Sequence, residues 1–387
     1  MNGLSQKRYL ELPLPTEDDP RSDQQRILDS LAAAGVEERV HMPVHILRKL
    51  YPLLDNAKWK ITVSLAWNGE NWEMVEIEEG DTTAQHYGLA VDLGSTTVVA
   101  RLLDCNSGEI LKEVSCFNKQ IQWGTDILSR IFYCKDNREK LEEVRRATVE
   151  SICECMDKLD ASLEMQGTSS EQKAENNGVS ESGDDRGAKN AAKKARTISQ
   201  SALSMVIAGN TTMIHFLLGM DAFCVFYTPH AVHADRPGFQ LARDLDIPLK
   251  GYVYCYPAKS NYLGGDIISG MIDTELYKKN EISVFFDIGT NGELVIGNKE
   301  FLLCGAGAAG PALEGGVVRT GMRADIGAVD EVKIRDGNIF VHVIGNSAPQ
   351  GICGSGIIDL IAELFLEGWI DIRGKLSPEK KPSYPGE

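Results

Sequence analysis

Asp92, Gly94, Ser95, Thr96 and Thr97 lie within a dozen residues of one another, and their types suit anion chemistry. Leu89, Ala90 and Val91 predict a buried strand, and Thr96 to Ala100 predict the strand that returns beside it. Gly94 leaves the turn between them without a Cβ, so an anion can approach the backbone closely. Ser95 and Thr96 add hydroxyl and N–H donors. Asp92, at the end of a buried strand, is costly to place there unless it meets a cation or a ring of donors. Such a tip suits a phosphate and, through Asp92, a hydrated metal ion. The chain makes the same turn again. Phe286-Asp287-Ile288-Gly289-Thr290-Asn291 repeats Val91-Asp92-Leu93-Gly94-Ser95-Thr96, and each is followed by a strand, a two-residue turn and a third strand. The offset is too long for a solenoid repeat. It predicts a duplicated α/β lobe, with two phosphate-binding hairpins facing each other across a cleft. Asp92 and Asp287 would hold Mg²⁺ through waters, because this ion keeps much of its hydration.

The elements that must position these turns follow from the rest of the chain. Its 387 residues allow two or three domains, and 43% hydrophobic content suits a globular protein. No apolar run approaches the ~20 residues that span a membrane, and the N-terminus has no signal-peptide core. Nine cysteines are scattered. Cys153 and Cys155 are the one close pair, on a polar helix without partner ligands. A reduced, cytoplasmic setting without a cysteine-bound cluster is therefore expected. The net charge of −16 disfavours nucleic-acid binding through a basic surface.

Residues 1–24 are polar and proline-bearing and predict an extended linker. Residues 25–80 predict a small α+β domain, with helices at 25–34 and 44–54 and a hairpin of Lys60–Trp67 and Trp72–Ile77 around Asn68-Gly69. A polar link over 81–86 leads to the first lobe, 87–280. There 139–159 predicts a long amphipathic helix. Residues 164–200 are rich in Ser, Gly, Glu, Asn and Lys, and predict a disordered insertion. Ser204–Ala208 predicts a strand entering Gly209-Asn210, whose donors suit a nucleotide or a helix cap. Gly264-Gly265-Asp266 opens a helix. The second lobe, 281–387, holds the Asp287 hairpin, the Gly-rich run 305–316, a hairpin around Asp336-Gly337 and a helix over 357–366.

Gly305-Ala306-Gly307-Ala308-Ala309-Gly310 fits the dinucleotide pattern G-x-G-x-x-G. The strand before it is the third of a meander rather than the first of a βαβ unit, and Pro311 follows directly. A nucleotide-facing role for Gly310 at a helix start fits better than NAD or FAD. There is no P-loop, since Gly368 and Gly374-Lys375 are mis-spaced and Leu376 stands where Ser or Thr is required.

Two such turns with a connecting helix resemble the actin, Hsp70 and sugar-kinase superfamily of ATPases. Asp92–Thr97 is similar to its first phosphate motif, and Asp287–Gly292 to its second. The helix begun by Gly264-Gly265-Asp266 resembles the connecting segment that brings a carboxylate near the γ-phosphate. The resemblance implies a duplicated RNase H-like, actin-like ATPase fold behind the small α+β domain. It implies ATP and Mg²⁺ as ligands, with Asp92 and Asp287 at the metal. Asp266 and Asp287 would be catalytic. Gly94, Ser95, Thr96, Thr97, Gly209, Asn210, Gly289, Thr290, Asn291, Gly292 and Gly310 would line the nucleotide.

A closer resemblance is to the reductive activators of corrinoid-dependent proteins. It is carried by Lys7–Pro13, Asn118-Lys119-Gln120, 124–131, Ala208–Met213, Asp287–Glu293, Gly310–Gly315 and Gly351–Asp359. It implies ATP hydrolysis coupled to Co(II)-to-Co(I) reduction on a corrinoid protein or corrinoid-dependent methyltransferase, with an external electron donor. It is compatible with a homodimer and implies neither nucleic acid nor membrane as a partner. Family members usually begin with a four-cysteine [2Fe–2S] domain, and no iron–sulfur cluster is expected in this chain. The superfamily's later Gly-rich adenosine motif and second connecting motif are not found, so the second lobe is expected to be incomplete. A small-molecule kinase and a nucleotide-dependent scaffold on the same fold are the other classes compatible with these residues.

Overall fold

Ile61, Val63 and Leu65 alternate with Thr62, Ser64 and Ala66 along one strand, yet all six are buried. A strand buried on both faces must be covered twice, and the fold supplies both covers. In the computed structural model, the residues described are 3–124, 126–174, 199–261, 263–289, 291–308, 313–314 and 318–377. They form two units, Met1–Ser269 and Gly270–Glu387.

The first unit opens with β1 (Ser5–Glu11), α1 (Asp23–Ala33), β2 (Val40–His41), α2 (Val44–Leu47), α3 (Leu50–Asn56), β3 (Lys60–Trp67) and β4 (Trp72–Glu79). The four strands form one sheet in the order β1-β3-β4-β2. The stretch expected to be a linker therefore carries a strand, paired from Ser5↔Ala66 to Glu11↔Lys60. Its prolines all lie beyond Glu11, so the ladder is not interrupted. The helix expected over 44–54 is two pieces. Tyr51 is extended at φ −109°, ψ 131°, as suits a residue directly before proline. Ile61, Val63 and Leu65 pack with Ile27, Leu31 and Ile46 of the helices. On the other face Ala66 and Val75 meet Leu203 of the following lobe.

That lobe is a six-stranded sheet of order β7-β6-β5-β8-β10-β9. Its strands are β5 (Tyr87–Leu93), β6 (Thr97–Asp104), β7 (Ile110–Phe117), β8 (Ser204–Gly209), β9 (Gly238–Leu241) and β10 (Tyr252–Cys255). β5, β6 and β7 are an antiparallel meander, while β8 and β10 add parallel to β5. Without the β9 edge, this is the order of an RNase H-like lobe, as expected. Helix α4 (Ile127–Cys134) precedes the long α5 (Arg138–Ala174). Val144, Thr148, Ser151, Ile152, Cys155 and Leu159 recur at helical spacing on α5 and are buried, and its apolar members join Leu89, Val91 and Leu93 in one core. α5 runs into the stretch expected as an insertion, and 175–198 of that stretch lie outside the described residues. α6 (Thr211–Leu217) follows β8, and α7 (Gly265–Asp273) follows β10.

The second unit holds the meander β11 (Ser283–Ile288), β12 (Asn291–Gly297) and β13 (Leu302–Ala308). A second sheet, in the order β15-β14-β16, comprises β14 (Ala328–Arg335), β15 (Asn338–Val343) and β16 (Gly351–Ile352). The repeat thus extends to three strands. Among the described residues, no parallel strand adds to this meander as β8 and β10 add to β5. Val284, Phe286 and Ile288 on one face of β11 are 54–76% exposed. The helix α8 (Gly354–Leu366) supports β14 through carboxylates: Val332 N–H donates to Asp359, and Ile334 N–H to Glu363 at 2.8 Å. These are backbone donors that the two-residue β16 is too short to take.

Within the first unit, the small sheet and the lobe are joined by polar bonds as well as by apolar contact. Glu76 on β4 is almost fully buried and accepts from Lys49 at 2.6 Å and from Lys250 just before β10. Tyr252 donates to Glu73 at 3.0 Å, and Ser5 Oγ bonds His86 Nε2 at 2.8 Å. Burial would raise the Glu76 carboxyl, but the two ammonium groups outweigh it and hold the pKa at about 2. A carboxyl depressed in the folded state stabilises the fold above its unfolded pKa. That stability is lost as pH falls through about 4.5 toward 2, on the order of 3 kcal/mol in all. Lys250→Met should cost about 2 kcal/mol in urea unfolding at pH 7, because Glu76 stays buried with one cation fewer. The deficit should shrink below pH 4. An unchanged midpoint at pH 7 would show that the buried carboxylate does not hold the two parts together.

Candidate nucleotide-binding site

The first turn is built from its carbonyls outward. Gly94, Ser95 and Thr96 link β5 to β6. Asn118 Nδ2 donates to the Gly94 carbonyl at 2.9 Å, and the Asn118 N–H donates to the Thr96 carbonyl at 2.8 Å. Arg130 Nη1 donates to the Ser95 carbonyl at 2.7 Å. A trans peptide points its N–H opposite to its C=O, so the two side-chain bonds direct the N–H groups of Ser95 and Thr96 away from Asn118 and Arg130. A Cβ on Gly94 would fall inside van der Waals contact of the Thr97 carbonyl, so the tightness of the turn requires glycine.

Asn118 and Arg130 received no role from the sequence, although both fall within the stretches that carry the family resemblance. Asn118 also caps the short helical turn at 119–123, its Oδ1 accepting from Gln120 N–H. Arg130 projects inward from α4, which is capped by Asp126 through Ser129 N–H at 2.8 Å. Its Nε donates to the carbonyl of Gly124, which adopts φ 149°, a conformation open to glycine alone. Gln120 accepts from Arg130 at 3.1 Å and in turn donates to Thr148 of α5.

Asp92 lies in β5 opposite Val99, on the face away from the buried Val91 and Leu93. It is exposed, which corrects the expectation of a buried carboxylate. It stands where water can solvate it, so its position needs no compensating cation to be tolerated.

Two further stretches meet this turn through the parallel sheet. Leu93 pairs with Gly209 at the ends of β5 and β8. A Cβ on Gly209 would stand 2.7 Å from the Leu93 carbonyl. Gly264 is backed onto the Gly209 carbonyl and the Asn210 Cα with no room for a side chain, and a Cβ on Gly265 would lie 2.6 Å from that of Tyr256. The turn, Gly209-Asn210 and Gly264-Gly265-Asp266 thus converge at the carboxyl ends of parallel strands, where open α/β sheets bind ligands. Asn210 is the N-cap of α6, its Oδ1 accepting from Met213 N–H at 3.0 Å. Asp266 is half-buried in the first turn of α7, and its Oδ1 accepts from Ile267 N–H at 2.8 Å.

The second turn belongs to the other unit. Asp287 pairs with Glu293 across β11 and β12, and Ile288 with Gly292. The first hairpin leaves four residues between its last pair, Leu93 and Val98, and the second leaves three between Ile288 and Gly292. The register also sets a second carboxylate, Glu293, directly opposite Asp287. Like charges in that relation repel unless a cation intervenes. Gly289 is exposed. Thr290 and Gly310, and the side chain of Asn291, lie outside the described residues. Gly305 and Gly307 lie within β13, so the first two glycines of the dinucleotide-like pattern are strand residues and make no phosphate turn. Among the described residues, no three His, Cys, Asp or Glu side chains gather as a metal site, and no helix is long and apolar enough to cross a membrane.

Comparison with known proteins agrees with this architecture. Three family models match in series: the RACo linker region over 1–84, the RACo middle region over 87–174 and 184–279, and the C-terminal domain of RACo, the ASKHA domain, over 281–385. The chain is 33% identical over 290 residues to the corrinoid activation enzyme RamQ of Eubacterium limosum, covering 74% of this chain and 43% of that protein. It is 28% identical over 152 residues to the [Co(II) methylated amine-specific corrinoid protein] reductase of Methanosarcina barkeri, covering 34% of this chain and 28% of that one. A solved structure, the reductive activator for corrinoid, iron–sulfur protein, superposes with a TM-score of 0.68 at 34% identity, over 98% of this chain and 56% of that one. The chain thus spans about half the length of these relatives or less. With its linker, middle and ASKHA parts in that order, the chain belongs to the RACo family.

Proposed function

We propose that this chain binds and hydrolyses ATP, and uses the hydrolysis to drive reduction of Co(II) to Co(I) on a partner corrinoid protein, with electrons from an external donor. The observation that carries the nucleotide reading is the Gly94–Thr96 turn, held by its carbonyls with the N–H groups of Ser95 and Thr96 directed away from Asn118 and Arg130. The corrinoid reading rests on the relatives, which are named for corrinoid activation or for reduction of a Co(II) corrinoid protein.

The donor set fits a phosphate chain. Backbone N–H groups of a glycine turn and the hydroxyls of Ser95, Thr96 and Thr97 approach phosphate oxygens without steric hindrance. Thr290 and Asn291 would supply donors from the second hairpin, and Gly209, Gly289, Gly292 and Gly310 would let backbone close on the nucleotide. Asp92 and Asp287 would accept from metal-bound waters. Mg²⁺, when bound, would neutralise charge that develops on the phosphate oxygens. Asp266, at the start of α7, would orient the attacking water and accept its proton.

Asp266→Ala should lower ATP turnover about 10²–10⁴-fold while ATP affinity changes little, as loss of general-base help predicts. Unchanged turnover with intact binding would favour a nucleotide-dependent scaffold instead. Gly94→Ala should weaken ATP binding, measured calorimetrically, because the added Cβ displaces the turn. Chelation of Mg²⁺ should abolish turnover, with recovery on adding it back. The corrinoid step is read from the visible spectrum of a Co(II) corrinoid protein with ATP and a reductant. ATP-dependent loss of the Co(II) band is expected, and a spectrum indifferent to ATP sinks the corrinoid role.

A further inference from the structure

Arg130 is fully buried, and among the described residues no carboxylate lies within ion-pair distance of it. A buried charge without a counter-ion is expensive, and proteins rarely retain one without a use. Its polar partners are neutral: the carbonyls of Ser95 and Gly124, the Gln120 amide oxygen and, at 4.0 Å, the Met213 sulfur. Its Nη2 is buried with no hydrogen-bond partner among the described residues. Burial lowers its pKa to about 10, with Asp126 opposing at longer range, so the group is still cationic at neutral pH. The one bond it makes to the candidate site is to the Ser95 carbonyl, on the inner side of the turn.

We infer that Arg130 is a positioning residue that works through the turn without touching the ligand. With Asn118 it forms a buried clamp that fixes the turn's donors outward, and its unpaired positive charge attracts an anionic phosphate chain on the far side. Bound phosphate then supplies the opposite charge. Solvent screening is weak at so buried a site, so the field passes through one peptide layer with little loss. Asn118 contributes geometry but no charge, so the charge is tested by comparing Arg130→Lys with Arg130→Met. The inference rests on the nucleotide reading above, and the test distinguishes their failures.

The test measures affinity for ATP and for adenosine in the full chain and in its Asn118→Ala, Arg130→Lys and Arg130→Met variants, with circular dichroism to verify folding. Both Asn118→Ala and Arg130→Met should weaken ATP binding about tenfold or more, with adenosine affinity within about twofold of the parent. Arg130→Lys keeps the charge and should recover part of the loss. Arg130→Met leaves three acceptors unpaired; if it does not fold, Asn118→Ala and Arg130→Lys decide the matter. Parallel losses for ATP and adenosine, or full ATP affinity in folded variants, would overturn the clamp while leaving ATP binding by the parent intact. A parent protein that binds no ATP overturns the clamp and the nucleotide reading together.

Discussion

Three backbone carbonyls in a row at the tip of one hairpin impose the constraint on which the candidate site depends. A turn that bonded them to itself would aim its N–H groups inward, and a turn that left them unpaired beneath the sheet would be unstable. Asn118 and Arg130 resolve this by taking the carbonyls of Gly94, Ser95 and Thr96 from behind. Each of these two side chains is placed by its own support: Asn118 follows the end of β7, and Arg130 sits on a helix capped by Asp126. Gln120 and Thr148 extend the bonding to α5, which spans the sheet. The turn is therefore one end of a network that runs through the lobe's interior.

The small sheet joins that interior from the other side. Its strand β3 is buried on both faces because helices cover one and the lobe covers the other. Glu76 adds a carboxylate shared by two lysines, one from each part. Buried ion pairs seldom add much to net stability, but losing one partner is costly, so they favour one relative placement over others.

The second unit is organised differently. Its meander repeats the strand–turn–strand–turn–strand order of β5–β7, yet β11 presents Val284, Phe286 and Ile288 outward. Its other sheet relies on α8 for backbone acceptors where β16 is short. The shorter second turn and the facing Asp287–Glu293 pair make it a more acidic tip than the first. The two turns share a plan without being interchangeable.

The features legible in the sequence were those that depend on neighbours along the chain. Alternating apolar residues marked β3, short apolar runs marked β5 and β11, and the Asn68-Gly69 and Asp336-Gly337 turns marked two hairpins. The doubled Asp-x-Gly-Ser/Thr motif marked the repeat and, with it, the fold. Gly209 and Gly264 were named for their motifs; the sheet showed that each is glycine because another backbone lies against it. Features that depend on distant partners were not legible. β1 became a strand because β3 offered it a ladder, and a proline-bearing stretch hid that possibility. Asp92 proved exposed because strand periodicity assigns faces but not what covers them. Asn118 and Arg130 looked like ordinary polar residues near helices. Only the tertiary fold, by carrying a buried guanidinium and an amide beneath a turn more than twenty residues away in the chain, decided that they bond the carbonyls of the first turn.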